Sequence, residues 1–279
     1  MPNLQRIWVV WTAIVVTVFA LSCGDDAGPD PTPDAQGRQQ LSGKITVFAA
    51  ASLTDSFNEM KTEFARRNPG TEIEFQFAGS PALRTQLEQG ARADVFASAD
   101  VPNMNMALQN GVVQDAGKVF VRNSLVIITP KSNPARIAAP ADLRRSGIKL
   151  VLVAPEVPVG NYARQAFALM DKDPAFGSGF ADAALGNVVS NESNVKQVVA
   201  KVQLGEADAG VVYGTDVTAD VVNDLAQIAI PANLNVIAEY PIALTKSPAN
   251  APVAAAFVAF VTSADGQAIL KKYGFQIVS

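Results

Sequence analysis

Lys44-Ile45-Thr46-Val47-Phe48-Ala49-Ala50-Ala51-Ser52-Leu53-Thr54-Asp55-Ser56-Phe57 changes its hydrophobic period half-way. Ile45 to Phe48 is a β-rich run. Leu53, Phe57, Met60 and Phe64 then recur at spacings of four, three and four, which is one face of a helix. Ser52 stands where an N-cap belongs, and Asp55 occupies the position of a capping-box partner. A strand that runs straight into a helix is the building unit of an α/β fold.

The unit recurs downstream. Ile73 to Phe77 alternates as a half-buried strand, and Ala78-Gly79-Ser80-Pro81 opens a helix through Leu83 and Leu87 that stops at Gly90. Lys149 to Ala154 is predicted as a strand, and Val157-Pro158-Val159-Gly160 leads into a helix over Tyr162 to Met170. Val188-Val189-Ser190 precedes Asn191-Glu192-Ser193-Asn194 and a helix carrying Val195, Val198, Val199 and Val202. A further strand, Ala209 to Tyr213, ends in Gly214-Thr215-Asp216.

Helix starts leave free N–H groups with partial positive charge. Several starts aimed into one cleft make an anion site without lysine or arginine, and Ser52 and Ser80 add hydroxyl donors. Each hydrogen bond to a charged oxygen contributes ~1.5–3 kcal/mol, so about seven hold a dianion firmly. Serine at a helix start also has an ordinary capping role. Spacing by itself does not bring the four starts together.

The 279 residues are 49% hydrophobic and 17% charged, enough for a well-buried core in one large domain or two lobes. Net charge is −4 with acidic and basic residues interspersed, so no nucleic-acid partner is expected. Histidine is absent and Cys23 is the only cysteine. A Ser-His-Asp triad, a Cys-His pair, a His/Cys zinc site and a disulfide are therefore all excluded. Gly111 to Val119 has one residue too many between its glycines for a phosphate-cradling loop and lacks the following Ser/Thr.

Residues 1–22 read as a secretory signal, with Arg6 ahead of the apolar run Ile7 to Leu21 and small residues at its end. Cys23 at that boundary resembles the lipid-modified cysteine of bacterial lipoproteins, although Ala20 stands where those signals usually carry leucine. Ala20 and Ser22 also satisfy ordinary signal cleavage. An uncleaved anchor is the third reading, on a run shorter than the ~20 residues that span a bilayer. All three export the chain. Residues 23–43, rich in proline and aspartate, are expected to be a flexible tether, with the folded unit beginning near Lys44.

Val47-Phe48-Ala49-Ala50-Ala51-Ser52-Leu53-Thr54, Ala93-Asp94-Val95-Phe96-Ala97-Ser98-Ala99-Asp100, Asn123-Ser124-Leu125-Val126, Val211-Val212-Tyr213-Gly214-Thr215-Asp216 and Lys272-Tyr273-Gly274-Phe275 occur in this order. From about Gly43 to Ile277 the chain resembles the molybdate-binding proteins of bacterial ABC transporters. The resemblance implies an α/β, two-lobed periplasmic-binding-protein-like fold, with a ligand cleft between lobes joined by two hinge crossings. The expected lobes are 44–121 plus 239–279 and 122–238, with crossings near Asn123-Ser124 and Glu239-Tyr240-Pro241.

In that family neutral donors hold a tetrahedral oxyanion. The resemblance carries the serine hydroxyls to Ser52 and Ser80, the backbone donors to Val159 and Val195, and a tyrosine hydroxyl to Tyr213. Two departures stand out: Gly79, where serine is common, and Val159, often alanine. Asp94 and Asp100 are read as turn and cap formers. A site without a carboxylate favours an anion with no proton, such as molybdate, tungstate or sulfate, since a protonated oxyanion rewards an acceptor.

The resemblance implies capture of molybdate, and of tungstate, for an import permease and its ATPase. Another tetrahedral oxyanion such as sulfate is the alternative. No enzyme activity and no cofactor are expected, and molybdenum would enter only as the bound oxyanion. The chain is expected to be a monomer, exported to the periplasm or the outer face of the cytoplasmic membrane and lipid-anchored at Cys23.

Overall fold

The computed structural model describes residues 40–278. The signal segment, Cys23 and most of the expected tether lie outside the described residues. The folded unit starts a little before Lys44. Leu41 packs on the core, and the carbonyl of Ser42 accepts from Asn250 Nδ2 at 2.9 Å.

Strands and helices alternate as their periods predict. The first half contains β1 (Gly43–Ala50), α1 (Thr54–Arg67), β2 (Thr71–Ala78), α2 (Ser80–Glu88), β3 (Val95–Ala97) and α3 (Val101–Gln109). A long strand, β4 (Lys118–Pro130), leads to β5 (Leu150–Val153), α4 (Pro158–Lys172), α5 (Phe180–Gly186), β6 (Val188–Glu192), α6 (Val195–Gln203) and β7 (Ala209–Tyr213). The chain ends with β8 (Leu225–Ala229), β9 (Ile237–Leu244), α7 (Ala251–Val261), α8 (Ala264–Lys272) and β10 (Gln276–Ile277).

The strands lie in the order β2-β1-β3-β9-β4-β7-β5-β6, with β8 and β10 also on β4. β1 is parallel to β2 and β3, and β5 is parallel to β6 and β7. Two parallel segments are thus joined through the antiparallel strands β9 and β4. β4 changes partner along its length. Lys118 to Ser124 pair with β9, and Leu125 to Ile128 pair with β7. A strand leaving one neighbour must find partners for its N–H and C=O groups. Asn235 meets that need, accepting from Leu125 N–H at 3.0 Å and donating to Leu125 C=O at 2.9 Å.

Parallel strands need cover on both faces. Val47 and Ala49 of β1 face the main core, where Phe57 of α1 meets Phe75, Phe120 and Phe257 at ring distances of 5.8, 6.1 and 5.9 Å. Phe48 faces the opposite side, against Leu83 of α2 and Met104 of α3. Burial on both faces explains why Ile45 to Ala51 reads as a continuous apolar run except at Thr46. Asp100 caps α3, accepting from Asn103 N–H at 3.1 Å, and Asp94 accepts from the N–H groups of Thr46 and Asn250. Asp100 therefore has the cap role read from the sequence, whereas Asp94 does not form a turn or a cap and instead ties β1 and the start of α7 to the chain ahead of β3. Among the described residues no single helix is long and apolar enough to cross a membrane.

Candidate functional site

The turn ahead of α1 and the beginnings of α2, α4 and α6 meet at one cavity. Its wall is drawn from Ala50 to Ser52, Ala78 to Ser80, Ala99, Val157 to Val159, Asn194, Val195 and Tyr213. Ser52, Ser80, Val159, Val195 and Tyr213 are thus brought together, and none is more than 6% exposed. No charged side chain lines the wall. The cavity is small, about 20 Å³, far below the ~300–1,000 Å³ of pockets for organic ligands.

Both serines differ from their sequence reading. Ser52 is not an N-cap: it lies inside a 3-10 turn, Ala51–Leu53, and α1 begins after Leu53 with no side-chain cap. Its Oγ is 2.9 Å from Tyr240 Oη, and Asp55 pairs with Lys196 instead of returning to the helix start. Ser80 is the first residue of α2, and Gly79 is the cap position. Ser80 Oγ accepts from Ala99 N–H at 2.9 Å, which occupies an acceptor site and leaves the hydroxyl proton free to donate. Neither hydroxyl is consumed in capping its own helix.

Val159 lies in the first turn of α4 and Val195 opens α6, so neither N–H has a carbonyl one turn back to bond. Asn194 caps α6 by accepting from Gln197 N–H at 3.3 Å, so the third N–H of that turn is satisfied. Gly160 seats the start of α4 on the end of β5: a Cβ there would overlap the carbonyls of Val153 and Ala154. Gly79 brings the opposing walls together, since a Cβ there would lie 2.8 Å from Ser193 O. The departure at Gly79 therefore sits at a close approach across the cavity as well as in a turn.

Tyr213 ends β7 and is 1% exposed, yet its Oη has no hydrogen-bond partner within the protein. Burial raises this hydroxyl well above its usual range, so it remains a neutral donor. A buried, unpaired hydroxyl costs ~1–3 kcal/mol unless something accepts from it. Its ring meets Tyr240 edge-on at 5.8 Å. Behind it, Asp216 Oδ2 accepts from Tyr213 N–H at 3.0 Å, and Oδ1 is unpaired. Tyr240 and Ala99 are the residues that motif reading missed. Each acts through a serine that lies far away or on another element, and neither carries a local signal.

Residues 45–276 match the family described as bacterial extracellular solute-binding proteins. The chain belongs to that family. One curated relative of this solute-binding protein is the molybdate-binding protein ModA of Mycobacterium tuberculosis. It is 37% identical over 255 residues, spanning 91% of this chain and 92% of that protein. Among solved structures, the periplasmic molybdate-binding protein of Azotobacter vinelandii is similar with a TM-score of 0.73 at 20% identity, over 84% of this chain and 100% of that one. The sulfate-binding protein SubI of M. tuberculosis has a TM-score of 0.76 at 17% identity, over 85% of this chain and 87% of that one. At such identities these structures bear on the fold alone, and they bear out the periplasmic-binding-protein-like α/β class.

Proposed function

We propose that this solute-binding protein captures a small, fully deprotonated tetrahedral oxyanion, molybdate or tungstate, and delivers it to an ABC importer. The carrying observation is the charge-free cavity on which the Ser52, Ser80 and Tyr213 hydroxyls and the starts of α4 and α6 converge. Oriented N–H groups and hydroxyls stabilise an anion without the reorganisation that a mobile lysine requires. The wall holds no carboxylate to accept a proton, which disfavours protonated anions. The similarity to the M. tuberculosis relative supports the choice of molybdate.

The reading assigns no catalytic step to the chain. We take 44–121 plus 239–279 as one lobe and 122–238 as the other, with ligand contacts on both favouring closure. The closed form is what the importer's permease would recognise. Cys23 is the lipid anchor in this proposal. Fractionation of a Cys23→Ala variant should find the protein released from membranes, and unchanged retention would refute the anchor.

Calorimetry with molybdate, tungstate and sulfate tests the central claim. Saturating ligand at about 1,000 times Kd should add ~4 kcal/mol of stability. Absence of both heat and thermal shift with all three anions would sink the reading. Stronger binding of sulfate would reassign the ligand.

A further inference from the structure

Ser52 and Ser80 face the same chemical requirement: each has one proton, and an anion with no proton needs that proton turned towards it. At Ser80 the backbone settles the direction. Ala99 N–H can only donate, so Ser80 Oγ accepts at 2.9 Å and its proton is left for the cavity. At Ser52 the partner is the Tyr240 hydroxyl, also at 2.9 Å, and the bond has two possible polarities. If Ser52 donated to Tyr240, it would present lone pairs to the anion. If Tyr240 donates, the Ser52 proton is free.

Tyr240 is built to hold its position. It lies in β9 opposite Val121, is fully buried, and is not part of the cavity wall. Phe120, Tyr213 and Phe275 meet its ring edge-on at 6.5, 5.8 and 5.7 Å. Burial raises its hydroxyl far above the usual range, so it keeps the proton it would donate.

We propose that Tyr240 is a positioning residue for the oxyanion: its hydroxyl donates to Ser52 Oγ and so turns the Ser52 proton into the cavity. Tyr240 does for Ser52 what the Ala99 amide does for Ser80. The inference rests on the oxyanion reading above.

The test is a double-mutant cycle read by tungstate calorimetry, with ligand-free thermal unfolding measured in parallel. Tyr240→Phe keeps the ring and removes the donor. It should weaken tungstate about tenfold, ~1.4 kcal/mol, while in a Ser52→Ala background the same change should cost less than about twofold. A general loss of packing would weaken binding equally in both backgrounds and overturn the role. Replacing Tyr240 by a fluorotyrosine keeps the fold and makes the phenol a better donor. Tungstate should then bind more tightly, and weaker binding would reverse the assigned polarity. Wild-type protein in the same series separates the two claims. If it binds no oxyanion, the function fails and this role with it; if it binds and Tyr240→Phe is silent, only the role fails.

Discussion

Lys196 Nζ lies 2.6 Å from Asp55 Oδ2, tying the first turn of α6 to the first turn of α1. Asp55 suits the positive end of its helix, whereas Lys196 opposes its own. The pairing offsets that conflict by a contact between the two sets of elements that wall the cavity. Both side chains are about one-third exposed, so the pair contributes only ~0–1 kcal/mol. Lys196→Ala should therefore weaken oxyanion binding by no more than about fivefold at low salt. The difference should shrink at 1 M salt, where screening reaches ~3 Å. Titrations at two ionic strengths check this, and a salt-independent loss would point to something other than the ion pair.

Tyr213→Phe should separate stability from affinity. The hydroxyl has no partner within the protein, so its removal should leave ligand-free stability unchanged or raise it, by up to ~1–3 kcal/mol. Tungstate affinity should fall about tenfold to a hundredfold, the loss of one hydrogen bond to a charged oxygen. Thermal unfolding and calorimetry on the same preparation read both. Equal affinity with unchanged stability would remove Tyr213 from the site.

Much of the fold was legible because its strands and helices have clean periods. Val195, Val198, Val199 and Val202 announce α6, and Ile73 to Phe77 announces β2. The partner switch within β4 was not, because a single strand from Lys118 to Pro130 serves two neighbours in turn. The site was legible only in part. A serine before an apolar helical face reads locally as a cap, while the bonds that Ser52 and Ser80 make go to Tyr240, 188 residues away, and to Ala99. Convergence of helix starts is a tertiary fact, and only the ordered family motifs anticipated it.

Gly79 marks a place where the walls nearly touch. A methyl group there would meet the backbone oxygen of Ser193 at 2.8 Å and the side chain of Val157 at 3.4 Å. Backbone gives way less readily than a flexible side chain, so Gly79→Ala should prop these segments apart. Binding should weaken by about fivefold or more, the ~1 kcal/mol lower end of what overpacking costs, with little change in ligand-free stability. Small-angle scattering of the ligand-saturated variant should report a larger radius than wild type. Wild-type affinity and radius together would mean that the approach relaxes without cost.

Asp216 makes stability depend on pH in the direction opposite to most carboxylates. Burial pushes its carboxyl up to about 7 from an ordinary 3.8, with Lys196 pulling down, the Tyr213 N–H also lowering it, and Asp55 pushing up. Below about 3.8 both folded and unfolded chains hold the proton. Between there and about 7 the folded chain retains a proton that the unfolded chain has released. Stability contributed by this group is therefore lost as pH rises through that window, at up to ~1.4 kcal/mol per pH unit, and is level above it. Carboxylates held by cations, such as Glu59 beside Lys272, titrate in the opposite sense, so the total curve mixes both. Asp216→Asn isolates the contribution of this carboxyl. Its amide oxygen can still accept from Tyr213 N–H, and it carries no charge at any pH. The stability of the variant relative to wild type should rise steadily from pH 4 to pH 7 and then level off. Denaturant unfolding at several pH values gives that difference, and parallel curves would show that Asp216 titrates at an ordinary carboxylate pH.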